Sequence, residues 1–301
     1  MKNKILCLLT LVGAIFLLAP EVLVSAKENV GDYAIVDMHT GKEEEIDLDS
    51  EKYHDIEKFV SRPLFPAHNT FMPKQFGQQG IGTYSIIGDD ERQKVTNTNQ
   101  FPYTAIARMT VEYEDGTAAC GSGAMISGRV LATAGHVLIN QNGSHPEKIT
   151  MQFGQKGSYV YYETSSFSSY IYRQNYETNR PLEGDYGFVI FKDKQVSTIT
   201  GHMGIITSPS ISERLYTAGY PGDKGYYYMY AATGNILRMT DDLIMHNMDT
   251  NGGQSGSPVY VNGVGGPYIV AMHTAGGQTE NIARRLEPAL YNWMKDNGYM
   301  N

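Results

Sequence analysis

The chain of 301 residues, 41% of them hydrophobic, is long enough to bury one large core or two modest ones. Its formal net charge of −8 at pH 7 argues against nucleic acid as a partner, because proteins that bind nucleic acid carry basic surfaces. The eight histidines show no His-Glu-x-x-His or similar ligand spacing, so we expect neither a metal site nor a cofactor. We also expect a monomer.

The N-terminus has the parts of an export signal. Lys2 and Lys4 form a basic start, and an apolar run follows over residues 5–18. That run is shorter than the roughly 20 residues that span a bilayer, and the small residues at 24–26 suit a signal-peptidase cut. We therefore predict a cleaved signal peptide at residues 1–26, a secreted, extracellular protein and no membrane anchor. A retained anchor is the alternative.

Residues 27–84 differ in composition from the rest of the chain. They hold 11 acidic against 6 basic residues, with three consecutive glutamates at 43–45. Residues 62–83 contain three prolines and no sustained period of 2 or 3.6, which indicates a weakly structured segment ending in a linker. In an exported protein we interpret 27–84 as a propeptide that precedes a domain at 85–301. A flexible binding tail is the alternative.

The pattern of residue types changes from about residue 101. Short runs rich in Val, Ile, Thr and Tyr alternate with turn signals, which is typical of an all-β domain. One segment, 288–296, predicts a helix, with Pro288 suited to its first turn. Strands are predicted at residues 104–113, 118–126, 186–191, 214–218, 226–232, 236–239, 259–261 and 268–273.

The segment 251–259, Asn-Gly-Gly-Gln-Ser-Gly-Ser-Pro-Val, has glycines on both sides of Ser255. A serine hydroxyl is a poor nucleophile unless a base removes its proton and donors stabilise the oxyanion that forms. The glycines let the backbone turn sharply, so the N–H groups of Gly253 and Ser255 can converge on one point. Taken alone, the segment is equally consistent with a plain loop.

Two further residues stand where a serine protease needs them. His136 follows a strand of small residues, where an imidazole can be held in place, and Asp185 opens the apolar run 187–191. Taken alone, each residue would be interpreted as structural: His136 as a buried histidine with its hydrogen bonds made, and Asp185 as an aspartate in a turn. The order His, Asp, Ser, with spacings of 49 (136 to 185) and 70 (185 to 255), fits a two-barrel serine protease.

Residues 85–295 resemble the V8-type glutamyl endopeptidases, bacterial relatives of the chymotrypsin-like proteases. Besides Asp185 and His273, the matching segments are Thr-Ala-Gly-His at 133–136, Gly-Tyr-Pro-Gly-Asp at 219–223 and Gly-Gly-Gln-Ser-Gly-Ser-Pro-Val at 252–259. The resemblance implies an all-β fold of two six-stranded antiparallel β-barrels with a C-terminal helix.

The same resemblance implies a serine endopeptidase with catalytic residues His136, Asp185 and Ser255 in the cleft between the barrels. His136 would take the Ser255 proton, Asp185 would hold the imidazole, and Gly253 and Ser255 would form the oxyanion hole. A pseudoprotease that only binds is the alternative from another class. It would show a lost catalytic residue or lost oxyanion glycines, and this sequence keeps them.

In the resembling enzymes a hydroxyl five residues before the nucleophile and a later histidine bind the carboxylate of a substrate glutamate. Those positions here are Thr250 and His273, and both side chains can donate to a carboxylate. The amine of the mature N-terminus also faces that pocket, and its counterpart is Ser85. A cut between Tyr84 and Ser85 is not a Glu-directed cut, so a second, activating protease is expected.

Asp249 complicates this specificity, because trypsin-like enzymes place an acid six residues before the nucleophile to select Lys or Arg. Pointing into the pocket, Asp249 would repel a substrate glutamate. Two readings therefore stay open, acidic specificity through Thr250 and His273, or basic specificity through Asp249. Under the first, Asp249→Ala is expected to leave cleavage after Glu intact or to improve it.

Overall fold

The computed structural model describes residues 33–48, 53, 60–66, 86–193 and 195–300. The predicted signal peptide at 1–26 lies outside these residues, as do Tyr84 and Ser85 at the predicted processing site. Among the described residues, no helix is long and apolar enough to cross a membrane.

The described residues form two β-sheets and three short α-helices. The helices are α1 Gly135–Leu138, α2 Val196–Thr200 and α3 Pro288–Asp296. The strands are β1 Tyr33–Asp37, β2 Glu43–Ile46, β3 Val60–Ser61, β4 Gln93–Lys94, β5 Ile106–Tyr113, β6 Ala118–Met125, β7 Val130–Thr133, β8 Pro146–Phe153, β9 Tyr162–Thr164, β10 Phe167–Arg173, β11 Gly187–Phe191, β12 Gly204–Ile206, β13 Arg214–Gly219, β14 Tyr230–Met239, β15 Leu243–His246, β16 Pro258–Gly263, β17 Gly266–Ala275 and β18 Asn281–Arg285.

The first sheet has the strand order β2-β1-β10-β11-β7-β6-β5-β8-β9. The second has the order β16-β13-β14-β15-β18-β17, and β16 pairs with β17, which closes it into a six-stranded barrel. The strands β12 and β3 extend the second sheet beyond β17. The predicted all-β, chymotrypsin-like class with a C-terminal helix is confirmed.

Two buried strands set the position of the candidate site. Strands β7 and β11 lie side by side inside the first sheet, and every residue of both is buried. Their antiparallel register sets Thr133, at the end of β7, opposite Gly187, at the start of β11. The chain leaving β7 toward His136 therefore meets the chain that enters β11 from Asp185.

The sequence predicts two strands, at 226–232 and 236–239, where the structure has the single strand β14. Residues 226–229 lie in a loop in which Tyr226 adopts a φ of +62°. Gly234 lies in the gap between the two predicted strands, yet it pairs in register with Leu215, and a Cβ there would meet the Asn247 side chain at 2.5 Å. The glycine therefore permits a close approach within the strand instead of a turn.

The expectation of a weakly structured segment at 27–84 is wrong for residues 33–48. These residues, here called the N-terminal hairpin, contain β1 and β2, and β1 pairs along β10 of the first sheet. The exposed glutamates at 43–45 belong to β2, the edge strand, where charged side chains are tolerated because they discourage pairing between molecules. The run of glutamates, which we interpreted as part of a weakly structured segment, thus belongs to the edge strand of a sheet.

Candidate active site

His136 and Asp185 are joined directly. His136 stands in α1, immediately after β7, and Asp185 follows a 3₁₀ turn at Leu182–Gly184 that leads into β11. The Asp185 carboxylate accepts from the His136 backbone N–H at 2.9 Å and lies 2.8 Å from Nδ1 of the imidazole. With Nδ1 bound to the carboxylate, the other ring nitrogen is left to act as a base.

The electrostatics favour a basic imidazole. Burial lowers the pKa of His136, but the charge of Asp185 and the hydrogen bond to it raise the pKa further, so the net value lies above 6.5. The His136 side chain is 30% exposed and the Asp185 side chain is 5% exposed, so the carboxylate is shielded from solvent while the imidazole is accessible.

Two residues that the sequence did not single out lie around this pair. Burial and the charge of Asp185 raise the pKa of Tyr176, so this tyrosine stays protonated and able to donate beside the carboxylate. The Arg180 guanidinium lies 5.2 Å from the Tyr176 ring and donates to the backbone oxygen of Asn140. Neither belongs to a recognisable motif, so only the fold connects them to Asp185.

The loop that carries Ser255 needs its glycines. Gly253 has a φ of +94° and Gly256 a φ of +80°, in the region that favours glycine. A Cβ on Gly253 would meet the backbone oxygen of Tyr220 at 2.6 Å, and one on Gly256 would meet Ser122 O at 2.2 Å. The segment thus packs closely against both sheets.

Ser255 is brought next to the His136 segment. Its backbone oxygen accepts from the Ser122 N–H at 2.8 Å, and a Cβ on Gly256 would lie 2.8 Å from the backbone nitrogen of Ala134. Among the described residues no hydrogen bond joins the Ser255 hydroxyl to the His136 ring. Such contacts are often long in free enzymes and tighten when substrate binds.

Ser122 is a further residue that the sequence analysis missed. Its buried hydroxyl donates to Gly253 O at 2.9 Å and accepts from the Tyr220 N–H at 3.0 Å. One side chain of the first sheet therefore fixes both the Ser255 loop and the Gly-Tyr-Pro-Gly-Asp loop of the second. Its neighbours in sequence, Gly121 and Gly123, carry no signal of this function.

The predicted specificity residues are buried with unused polar atoms. Thr250 Oγ1 and His273 Nδ1 have no hydrogen-bond partner among the described residues. The His273 backbone is tied to the loop of Ser255, since Gly256 N–H donates to His273 O at 2.7 Å. Buried polar atoms are rarely left unpaired unless a ligand or water completes them.

A second buried histidine lies behind His273. The rings of His246 and His273 have centroids 5.8 Å apart, and burial lowers the pKa of His246 to about 3. Burial, followed by the neighbouring His246 and His136, lowers the pKa of His273 well below its ordinary value. His273 is therefore a neutral donor in the free protein.

No family model matches the chain. A glutamyl endopeptidase of Bacillus licheniformis is 30% identical over 224 residues, which cover 69% of this chain and 69% of the relative. The chain belongs to the glutamyl endopeptidase family. It is a serine endopeptidase.

Two further proteins are similar to this member of the glutamyl endopeptidase family. An extracellular metalloprotease of Bacillus subtilis (strain 168) is 29% identical over 218 residues, covering 71% of this chain and 70% of the relative. A solved Glu endopeptidase structure, in complex with MPD, has a TM-score of 0.61 at 23% identity, covering 70% of this chain and 98% of the other. That likeness shows the fold.

In this family member the Asp249 side chain is turned toward residues 87–91. Its carboxylate accepts from the N–H groups of Ile87 at 2.8 Å and Glu91 at 2.7 Å, and the residue is 3% exposed. Burial raises the pKa of Asp249, and the two backbone hydrogen bonds only partly oppose that rise. Both carboxylate oxygens are thus occupied by the chain itself.

A second anchor holds the same segment. Arg92 is buried and donates through Nε to Asp90 at 2.8 Å and through Nη1 to Asp223 at 3.0 Å. Asp223 closes the Gly-Tyr-Pro-Gly-Asp motif, so residues 87–92 are docked on the loop next to Ser255. Within the described chain, no group of three or more His, Cys, Asp or Glu residues could hold a metal ion.

Proposed function

We propose that this endopeptidase uses His136, Asp185 and Ser255 as its catalytic triad. The observation that carries the proposal is the contact between Asp185 and His136 beside the Ser255 loop. His136 takes the Ser255 proton as the hydroxyl attacks the scissile carbonyl and returns it to the leaving amine. Asp185 fixes the tautomer and stabilises the imidazolium, and its effect on the His136 pKa supports this role.

The oxyanion is bound by the N–H groups of Gly253 and Ser255. The positive φ of Gly253 supports this, because it turns the loop sharply just before the nucleophile. Ser122, which binds Gly253 O, acts as a positioning residue for that loop. Removing one donor from an oxyanion hole typically costs on the order of 10²–10³ in kcat.

The proposed specificity is cleavage after Glu, and less readily after Asp. Thr250 and His273 offer buried polar atoms that a substrate carboxylate would complete. The engagement of Asp249 with Ile87 and Glu91 argues against basic specificity, since its oxygens face the chain instead of a substrate Lys or Arg. The relatives named glutamyl endopeptidase support the same choice.

Because burial lowers the pKa of His273 in the free protein, a further positive charge beside the substrate carboxylate is expected. The amine of Ser85, freed by a cut after Tyr84, would supply it, as an α-amine with a pKa of about 7.7–8 is mostly protonated at neutral pH. The docked segment at 87–92 supports this, because it holds the chain two residues from Ser85. An activating protease makes the cut in a secreted, monomeric precursor whose signal is residues 1–26 and propeptide residues 27–84.

Two measurements test the proposal. Mass spectrometry of a denatured protein after digestion is expected to map cleavage after Glu, and cleavage after Lys or Arg would refute the specificity. N-terminal sequencing of the secreted form should give Ser85, and one extra residue before Ser85 should strongly reduce cleavage after Glu. Full activity of that extended form would refute the role of the amine.

Inhibitors also test the serine chemistry against the metal chemistry that the name of one relative implies. The two chemistries differ in their inhibitors. An organophosphorus reagent is expected to label Ser255 and abolish activity, while chelators leave activity unchanged. Loss of activity with a chelator and no labelling of Ser255 would favour the metal enzyme.

A further inference from the structure

The N-terminal hairpin covers an edge of the first sheet. All five residues of β1 stand in register with β10, from Tyr33 opposite Arg173 to Asp37 opposite Ser169. The other neighbour of β10 is β11, so within the described residues no strand after residue 85 pairs with that edge. Without the hairpin, this edge of β10 would lack a partner, and such edges promote aggregation.

The hairpin is part of the hydrophobic core. Ala34 and Ile46 are fully buried and Tyr33 is 2% exposed, which matches the burial of the central strands of the same sheet. A surface strap would bury one side of its chain and expose the other. Departure of the hairpin would therefore open a core that nothing else in the described chain fills.

A buried polar cluster ties the hairpin to the back of the triad. The Tyr33 hydroxyl donates to Glu287 Oε2 at 2.5 Å, and the Tyr186 hydroxyl donates to the same oxygen at 3.0 Å. The two tyrosine rings meet edge to face with centroids 5.7 Å apart. Tyr186 directly follows Asp185, so the hairpin braces the segment that orients the candidate base.

Residues 60–66 make a second contact, with the other sheet. Strand β3 pairs with β12, and Leu64 and His202 exchange two backbone hydrogen bonds of 2.9 Å. The ring of Phe65 lies 4.9 Å from that of Phe101. The segment 27–84, which is predicted to be removed, thus pairs with strands of both sheets.

We propose that the N-terminal hairpin, residues 33–48, stays bound without a covalent link after the chain is cut, as a permanent strand of the mature enzyme. The inference rests on the proposed cut before Ser85. It extends that proposal, because a propeptide is otherwise expected to leave. Binding follows the rule for strand addition, in which backbone pairing gives affinity and buried side chains give selectivity.

The test uses the full chain with Ser255→Ala, so that no self-digestion occurs, and with a recognition site for a sequence-specific protease inserted between residues 66 and 86. After cleavage, size-exclusion chromatography at micromolar concentration is expected to show the hairpin fragment eluting with the protease domain, and denaturant is expected to separate them. Separation without denaturant would overturn the proposal. The readout is binding, so it stays interpretable even if the proposed peptidase activity or specificity is wrong.

A matched pair of variants assigns the binding to β1. Ala34→Arg forces a charge into the core and is expected to weaken retention by roughly a hundredfold or more. Glu44→Arg introduces the same side chain at an exposed position of the same hairpin and should leave retention unchanged. If Ala34→Arg fails to fold, the cleaved Ser255→Ala chain is instead incubated with a labelled 33–48 peptide. Incorporation of this peptide when the cleaved chain is unfolded and refolded supports the proposal, and refolding of the domain without the peptide and without its own hairpin overturns it.

Discussion

Replacing Asp249 with Ala should impair cleavage after Glu. The change removes the acceptor of two backbone N–H groups, those of Ile87 at 2.8 Å and Glu91 at 2.7 Å. A hydrogen bond to a charged acceptor contributes about 1.5–3 kcal/mol, so the docked segment loses about 3–6 kcal/mol. The ion pairs of Arg92 with Asp90 and Asp223, and of Lys224 with Asp90, remain, so the residues before Asp90, 87–89, should detach from the second sheet.

The expected result reverses the one drawn from the sequence. A detached segment no longer holds Ser85 near the pocket, so kcat/KM for a Glu peptide should fall by about tenfold or more. Phosphonylation of Ser255 by a small organophosphorus reagent, in which the serine oxygen displaces the leaving group from phosphorus, should change little, because that reagent does not use the specificity pocket. The assay therefore compares the two rates in wild type, Asp249→Ala and Asp249→Asn, which retains one acceptor and should lie between.

Asp89→Ala is the matched control, because Asp89 lies in the same turn and is exposed. It should behave as wild type in both assays. Unchanged kcat/KM for Glu peptides in Asp249→Ala would refute the docking argument. Cleavage after Lys or Arg by the wild type, lost in Asp249→Ala, would instead establish the trypsin-like role.

Three further predictions concern the site. Ser255→Ala should retain its thermal stability yet lose peptidase activity, and more than about one part in 10³ of the wild-type kcat would exclude Ser255 as nucleophile. The base must be neutral to act, and the His136 pKa lies above 6.5, so kcat/KM should fall as pH drops through that raised value. Asp185→Asn should move this acidic limb of the pH profile to lower pH. If the limb does not move, a group other than His136 titrates there. His273→Ala should reduce turnover of Glu peptides far more than acylation by a small reagent, whereas equal losses would show that it supports the triad.

The sequence predicts those parts of the fold whose residues are uniform in character. Strands β7 and β11 are apolar apart from Thr133 because they are buried on both faces, and α3 begins and ends as predicted. Strand β10 was missed because its sequence, Phe-Ser-Ser-Tyr-Ile-Tyr-Arg, contains one aliphatic residue and no strict alternation of apolar and polar residues. The hairpin was missed because its partner, β10, lies far away in sequence, and pairing at such distance leaves no local signal.

The sequence analysis singled out site residues where a glycine or a motif flanks them. His136, Asp185 and Ser255 lie in such segments, and the structure brings those segments together. Ser122 and Tyr176 have no flanking signal, since each acts through a contact that only the folded chain creates. Asp249 was singled out by its spacing, but spacing does not give the direction of a side chain.

The loop of Ser255 already has its shape in the uncut chain, and this bears on how the precursor is kept inactive. Gln254 Oε1 accepts from the Asn251 N–H at 3.0 Å, and Gly253 has its positive φ, so the loop needs no new N-terminus to form. Trypsin-like zymogens carry an aspartate at position 254 that captures the freed amine, and a glutamine makes no such ion pair. Because the segment at 87–92 is also docked before the cut, processing at Ser85 would change little except the charge there. The precursor should therefore react with small acylating reagents at nearly the mature rate while binding Glu substrates poorly.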